Sequence, residues 1–346
     1  VARAVATPRS RPAGVPVLVV DAARPAPAEL ERAGAALRDG GLVAFPTETV
    51  YGLGAAVDRP DAVGRVFAAK GRPGTDPLIV HLPDAGALDG VVAAVPPTAR
   101  RLADAFWPGP LTLVLPRGPL VPDTVTAGGG AVGVRVPAHP VAIGLLRAAG
   151  RPVAAPSANR FGRISPTEAG HVVAELGDRL DPARDLVVDG GPTPLGIEST
   201  VVDLTGERPR VLRHGGVPWE DLEEVVGPVD MAERRSTPAD EPAPAPGGLL
   251  RHYAPSTPLV LVDGDERTVA DVVAALAAAG VAAAALALPA APAAAATDLY
   301  RRLRDADAGG HELLVAGVLD PAGLGRAVND RLFRAAHGRV VRRRDG

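Results

Sequence analysis

The fold is decided by residues 29–54, ELERAGAALRDGGLVAFPTETVYGLG. Apolar residues recur at helical spacing in Leu30, Ala33 and Leu37, so a helix is predicted over 29–37. Gly40 and Gly41 stop it, since glycine takes the backbone conformations that end helices, and residues 42–45 then read as a short apolar strand. Pro46 follows, and with it the hydroxyls of Thr47 and Thr49, the carboxylate of Glu48 and the phenol of Tyr51. Polar groups just beyond a strand end are where α/β folds place ligands.

Outward from this stretch the pattern repeats. Asp58 and Pro60 suit the N-cap and first turn of a helix that runs through Val63, Val66 and Phe67 to Gly71, and a strand over 78–82 comes next. Further strands are expected at 111–115, 132–136, 153–155, 186–189, 201–204 and 211–213, with helices near 98–106, 141–148 and 167–176. A mixed α/β sheet is implied. Residues 230–248, ending in EPAPAPGG, hold too few apolar side chains to pack and too many prolines for helix or sheet, so they mark a linker. Beyond it, 259–262, 269–278, 281–288, 298–304, 313–315 and 325–336 alternate strand and helix, the pattern of a small parallel sheet with crossover helices. The expected division is a flexible tail over 1–16, a first α/β domain over 17–229, a Pro/Gly-rich linker with a lid segment over 230–256, and a Rossmann-like domain over 257–346.

The bulk composition narrows the function. A chain of 346 residues exceeds the usual span of one hydrophobic core. With 47% apolar and 22% charged residues it can fold without disulfides or structural metal. A net charge of −3 argues against a general nucleic-acid coat and leaves room for a local basic patch. The absence of cysteine excludes a disulfide framework, a thiolate nucleophile and cysteine-ligated metal, and suits a cytoplasmic location. Residues 1–16 lack the apolar run of a secretory signal. The apolar stretch 269–288 is broken by Asp271 and Gly280 and is mostly alanine, so a membrane span is not expected.

No phosphate loop of the Gly-x4-Gly-Lys type occurs, so any ATP site is built differently. The single lysine of the chain, Lys70, sits in KGRP at 70–73. Alone, it reads either as a helix-end cation complementing the macrodipole or as a compact ammonium facing a phosphate or carboxylate. With residues 46–54, the stretch KGRPGTDPLIVH at 70–81 and PSAN at 156–159, it supplies cations, small hydroxyls and an amide that a sheet can gather at one edge. A phosphate-handling pocket fits these groups. Gly323-Leu324-Gly325 precedes a helix but lacks the third glycine of the dinucleotide fingerprint, which argues against that cofactor.

These segments closely resemble the threonylcarbamoyl-AMP synthases in their two-domain form, a YrdC-like catalytic domain followed by a smaller accessory domain. The resemblance is carried in order by 46–54, 70–81, FWPGPLT at 106–112, RVPAHP at 135–140, APSAN at 155–159, GIESTV at 196–201, Arg213, HYAP at 252–255 and GLGRAVNDRL at 323–332. It implies that Thr49, His81, Arg135, Ala155 and Ser199 line an L-threonine pocket. It implies that Arg72, Asp76, Ser157, Ser165, Arg213 and Tyr253 face ATP. Lys70 and Arg72 are then the candidates for transition-state stabilisation. Asp76 stands where the family often has asparagine, and Ala131 where it often has threonine. Ser165 also opens a Ser-Pro-x-Glu capping box, so its hydroxyl serves either ATP or the helix.

The reaction implied is L-threonine, bicarbonate and ATP giving threonylcarbamoyl-AMP and pyrophosphate, for modification of adenosine 37 in tRNAs that read codons beginning with A. Mg²⁺ would arrive with ATP, and residues 247–255 would close the cleft. The resemblance leaves open direct tRNA contact and hand-over to a tRNA threonylcarbamoyltransferase; the metal ligands and the bicarbonate site are not assigned. Two rival readings rank behind. Related carbamoyl-transfer enzymes carry further catalytic or zinc-binding modules for which this chain has neither cysteine nor length. A pure RNA-binding module would make poor use of 3% aromatic residues, too few for extensive base stacking.

Overall fold

The structure, a computed structural model, describes residues 14–232, 252–264 and 266–342. Its larger sheet contains β1 (Val17–Val19), β2 (Val43–Phe45), β3 (Gly52–Ala56), β4 (Ile79–His81), β5 (Leu111–Pro116), β6 (Ala131–Arg135), β7 (Val153–Ala154), β8 (Leu186–Asp189), β9 (Thr200–Asp203), β10 (Arg210–Arg213) and β11 (Asp230–Met231). They lie in the order β1-β8-β2-β3-β7-β4-β6-β5-β9-β10-β11. Parallel and antiparallel pairs mix: β2 runs parallel to β8 and antiparallel to β3, and β4 runs parallel to β6 and antiparallel to β7. The mixed α/β sheet expected from the pattern is present.

The period-2 rule explains the layering. Val43 and Phe45 face one side, where the helices Pro27–Arg38 and Pro140–Ala149 supply Leu30, Ala33, Leu37, Val141 and Leu145. Leu42 and Ala44 face the other, in the core that includes Leu53, Val63 and Val66. A strand covered on both faces reads as a continuous apolar run, and this one is buried throughout. Removing Phe45 from water contributes about 1.5–3 kcal/mol.

The smaller sheet is wholly parallel. Strands β12 (Leu259–Asp263), β13 (Ala283–Ala285), β14 (Leu313–Gly317) and β15 (Val340–Arg342) lie in the order β13-β14-β12-β15. The helices Glu266–Ala278, Pro292–Asp307 and Gly325–Ala335 connect them. Among the described residues no helix is long and apolar enough to cross a membrane.

Several expectations shift on inspection. The helix after Asp58 spans Pro60–Lys70 with Arg59 at its N-cap, and the Asp58 carboxylate pairs with Arg151 instead of capping. The helix expected from 167 starts at Ala169 with Glu168 at its N-cap and no side-chain cap, so Ser165 forms no capping box. Val15, within the stretch expected as a tail, is buried at 6% exposure, and the Pro16 carbonyl accepts from the Val187 amide at 2.9 Å. Asp230–Met231, at the expected start of the linker, pairs with β10. Residues 1–13 of the expected tail and 233–251 of the linker lie outside the described residues.

Candidate active site

The segments singled out in the sequence converge on one cleft that opens partly to solvent. Local chemistry places the first of them. The Thr47 hydroxyl donates to the Val50 carbonyl at 2.7 Å and accepts from the Thr49 amide at 3.2 Å, closing a turn between β2 and β3. That turn projects Thr49 into the cleft.

His81 and Arg135 arrive together because β4 and β6 pair in parallel with His81 opposite Arg135. The Arg135 guanidinium donates from Nη1 to Thr49 Oγ1 at 2.9 Å and from Nε to the Gly109 carbonyl at 3.2 Å, and its Nη2 lies 2.7 Å from Glu48 Oε1. Burial, with Arg135 adding to it, lowers the His81 pKa to about 3, so the ring is neutral at physiological pH. Ala155 contributes a small wall, and the Ser199 hydroxyl shares a hydrogen bond with Thr112 Oγ1 at 2.8 Å. All five residues expected around L-threonine line this cleft.

The cationic end is built by a helix terminus. Gly71 takes a left-handed φ of 62° as C-cap, and its amide and that of Arg72 bond back to Ala68 and Phe67. Arg72 therefore leaves the helix at a defined angle. Its Nε donates to the Asp76 carbonyl at 3.0 Å and its Nη2 to the Pro77 carbonyl at 2.7 Å, with Nη2 also 3.0 Å from Asp76 Oδ1. Arg213 enters from β10 and donates from Nη2 to the Ser199 carbonyl at 2.9 Å and to Ser199 Oγ at 3.1 Å. Arg72, Ser157, Arg213 and Tyr253 all line the cleft. The Tyr253 hydroxyl is buried with no hydrogen-bond partner.

Three of the expected site residues stand behind the wall instead of at it. Asp76, 1% exposed, faces Arg72 and does not line the cleft. Burial raises its carboxyl above the usual range, and Arg72, Lys70 and Arg213 oppose only part of that. Lys70 is 3% exposed and donates to the carbonyls of Ser157 and Asn159, both at 2.5 Å, so its ammonium pins the PSAN loop from behind. Desolvation, and then Arg72, hold the Lys70 pKa well below the usual value. Ser165 is fully buried and donates to Glu198 Oε1 at 2.6 Å.

Glu198 carries no role in the sequence reading and Glu48 only that of a polar group past a strand end, although both sit inside quoted motifs. Glu48 pairs with Arg135, and Glu198 lines the cleft while pairing with Arg331 at 2.8 Å. The available signal is a carboxylate interrupting a run of apolar and hydroxyl residues beside a strand. Each of the three carboxylates around the cleft thus neutralises one arginine, and Arg213 adds a further cation. Among the described residues, no group of three or more His, Asp or Glu side chains could hold a metal ion.

A cation-lined cleft on a mixed sheet, backed by a small parallel α/β domain, suits an enzyme that handles anionic substrates. Comparison with known proteins agrees. Residues 35–215 match the Sua5/YciO/YrdC family model, described as telomere recombination, and residues 217–337 match the model for the C-terminal domain of threonylcarbamoyl-AMP synthase. The chain is 39% identical to the threonylcarbamoyl-AMP synthase of Pyrococcus abyssi over 88% of its own length and 93% of that protein's. It is 38% identical to that of Bacillus subtilis, over 91% and 94%. The crystal structure of P. abyssi Sua5 complexed with L-threonine superposes with a TM-score of 0.88 at 38% identity, covering 94% of this chain and 99% of that one. The chain belongs to the threonylcarbamoyl-AMP synthase family, in its two-domain form.

Proposed function

We propose that this protein is a nucleotidyltransferase that joins L-threonine, bicarbonate and ATP into threonylcarbamoyl-AMP and pyrophosphate. The observation that carries the reading is one cleft lined by two unlike sets of groups. Arg135, Thr49 and His81 offer a bidentate cation, a hydroxyl and a neutral imidazole at the scale of an amino acid. Arg72 and Arg213 face the same space, Arg213 reaching Ser199 Oγ at 3.1 Å. The names of the relatives and the threonine-bound P. abyssi structure support this choice of substrate and product.

In this reading Arg135 holds the threonine carboxylate in its planar fork, and Thr49, Ala155 and Ser199 shape the pocket around the side chain. The threonine amine combines with bicarbonate, losing water, to give a carbamate. A carbamate oxygen then attacks the α-phosphorus of ATP, and the bond to the bridging oxygen of pyrophosphate breaks. Arg72 and Arg213 neutralise the charge that moves onto that leaving group, which requires no covalent nucleophile. Tyr253, left-handed at φ 61° with an unpartnered hydroxyl, meets the nucleotide and begins the closure of the cleft expected of 247–255; residues 247–251 lie outside the described set. Lys70, Asp76 and Ser165 act from behind: Lys70 fixes the loop bearing Ser157, Asp76 fixes Arg72, and Ser165 binds Glu198.

Mg²⁺ would enter with ATP and take its ligands chiefly from the phosphates, since Glu48, Asp76 and Glu198 are each already paired with an arginine. The ion would supply further neutralisation of phosphate charge. The product's role is to furnish the threonylcarbamoyl group for adenosine 37 of tRNAs reading codons that begin with A, a cytoplasmic reaction completed by a tRNA threonylcarbamoyltransferase. Direct contact with tRNA is not needed for the adenylate to form.

The test is pyrophosphate release by the purified protein with ATP and Mg²⁺, omitting L-threonine or bicarbonate in turn, with mass spectrometry of the nucleotide product. Release that needs both, with a threonylcarbamoyl-AMP mass, is expected. Release indifferent to threonine would replace this reading with that of a carbamoyl-transfer relative.

A further inference from the structure

The second hydrophobic core belongs to both domains. Val50, Ile164, Ile197 and Tyr253 are buried in one cluster with Leu299, Tyr300, Val328 and Leu332. Close approach is built into the backbone at Gly196, which has φ 73°, and a Cβ placed there would lie 2.5 Å from the Thr297 carbonyl oxygen. Only glycine satisfies both demands, so the loop preceding β9 rests directly on the helix Pro292–Asp307.

The next residue but one, Glu198, is where the accessory domain reaches the cleft. Its Oε1 accepts from Ser165 Oγ at 2.6 Å and from the Tyr300 hydroxyl at 2.9 Å; its Oε2 accepts from Tyr300 at 2.7 Å and from Arg331 Nε at 2.8 Å. Arg331 is fully buried and also donates from Nη1 to Asp330 Oδ2 at 2.9 Å. Its guanidinium carbon stands 4.9 Å from the centroid of the Tyr253 ring, and that ring stacks on Tyr300 at 5.8 Å. Glu198 and Tyr253 line the cleft, whereas Arg331 and Tyr300 do not. The helix Gly325–Ala335, which carries Arg331, thus reaches Glu198 and the Tyr253 ring without entering the cleft.

We propose that Arg331 and Tyr300 are positioning residues for ATP: by holding Glu198 and backing the Tyr253 ring, they let the accessory domain set nucleotide affinity from outside the cleft. The inference rests on ATP occupying the Arg72–Tyr253 end. A buried carboxylate bound by four donor contacts has one allowed place, and removing a donor leaves it to seek another partner, Arg213 being near. Thr49, His81, Arg135 and Ala155 are held by β-strand pairing, by the hydrogen bond from the Ala155 amide to the Ile79 carbonyl and by the β2–β3 turn; of the threonine pocket only Ser199 adjoins Glu198, and Arg213 donates to the Ser199 carbonyl and hydroxyl, so threonine binding depends little on this contact. A simple domain staple would behave differently, weakening both substrates in step with stability.

Tyr300→Phe deletes the hydroxyl and keeps the ring, so it is the variant least able to disturb the fold; Arg331→Met and Arg331→Lys accompany it in the full chain. Steady-state pyrophosphate release, calorimetric titration with ATP and separately with L-threonine, and thermal melting are measured for each. Tyr300→Phe should weaken ATP binding and raise its KM about fivefold, and Arg331→Met about tenfold or more, by loss of hydrogen bonds to a charged group. Arg331→Lys should recover part of the Arg331→Met loss, because it restores the charge and the contact with the Tyr253 ring. Threonine affinity should fall far less than ATP affinity, staying within about twofold, because of its five pocket residues only Ser199 adjoins Glu198 and Arg213. Unchanged ATP affinity in Tyr300→Phe, or ATP and threonine affinities falling together with the melting temperature, would overturn the proposal. A wild-type protein that binds ATP yet forms no threonylcarbamoyl-AMP would instead sink the functional reading, and the ATP titrations of the variants would still decide this one.

Discussion

Replacing Arg135 with methionine tests the threonine pocket most sharply, because both its structural and its binding consequences can be worked from the contacts. Arg135 is 4% exposed and its partner Glu48 is 8% exposed. Deleting the guanidinium leaves Glu48 buried without a counter-charge, a loss of about 3–5 kcal/mol for a fully buried pair. The Glu48 side chain retains 11% exposure and can relax toward water, so the lower end, about 3 kcal/mol, is expected. Binding loses more in proportion. Two charge-assisted bonds to the substrate carboxylate disappear, and about 100-fold in affinity is a conservative expectation. The assay is urea unfolding with and without L-threonine. At about 100 times the wild-type Kd, threonine stabilises the native protein by about 2.7 kcal/mol; with affinity about 100-fold weaker, the same concentration contributes only about 0.4 kcal/mol. Arg135→Lys keeps a point charge without the fork and should fall between the two. A variant lacking the guanidinium that still gains about 2.7 kcal/mol from threonine would refute the assignment of Arg135 to the carboxylate.

Three further outcomes are expected. Tyr253→Ala should raise the KM for ATP about tenfold while the far-UV spectrum is preserved, since it removes an aromatic wall of the cleft and a buried, unpartnered hydroxyl; unchanged kinetics would remove Tyr253 from the site. Lys70→Met should lower thermal stability and ATP use together, because two carbonyls lose a charged donor by about 1–3 kcal/mol. A drop in kcat with stability intact would return Lys70 to the phosphates. His81 is neutral in the folded state with a pKa near 3, while the unfolded chain titrates near 6.5. Between those values the unfolded state binds the extra proton, so stability is complete above pH 6.5 and declines as pH falls, at up to about 1.4 kcal/mol per pH unit. From pH 7.5 to 5 the wild type should therefore lose about 2 kcal/mol more than His81→Gln in urea unfolding, and equal losses would contradict a buried neutral ring.

Much of the fold is legible along the chain because its elements are punctuated locally. Gly71 ends a helix whose apolar face is plain in Val63 and Val66, and the apolar run at 42–45 becomes a strand buried on both faces. The elements that escape the sequence are those without a period to display. Strand β3, Gly52-Leu53-Gly54-Ala55-Ala56, has almost no β-branched or aromatic side chain, and it becomes a strand because β2 and β7 flank it. The Pro218-capped helix Trp219–Val226 and the edge strands β1, β11 and β15 are short, and tertiary contacts decide them.

The chain alone determined which chemical groups are available and roughly where each meets a strand end, because turns, caps and binary patterning are set by neighbours in sequence. Nine of the residues expected in the site line one cleft for that reason. Only the tertiary structure decided which charges face substrate and which face each other. Lys70 is the same residue type whether it touches a phosphate or a carbonyl, Asp76 whether it faces a nucleotide or Arg72, and Glu198 finds its counter-charge in Arg331, 133 residues away. Periodicity reports that a face is buried and is silent about what buries it. A buried charge is governed by its nearest opposite charge through space, and that distance exists only once the sheet has closed and the accessory domain has docked.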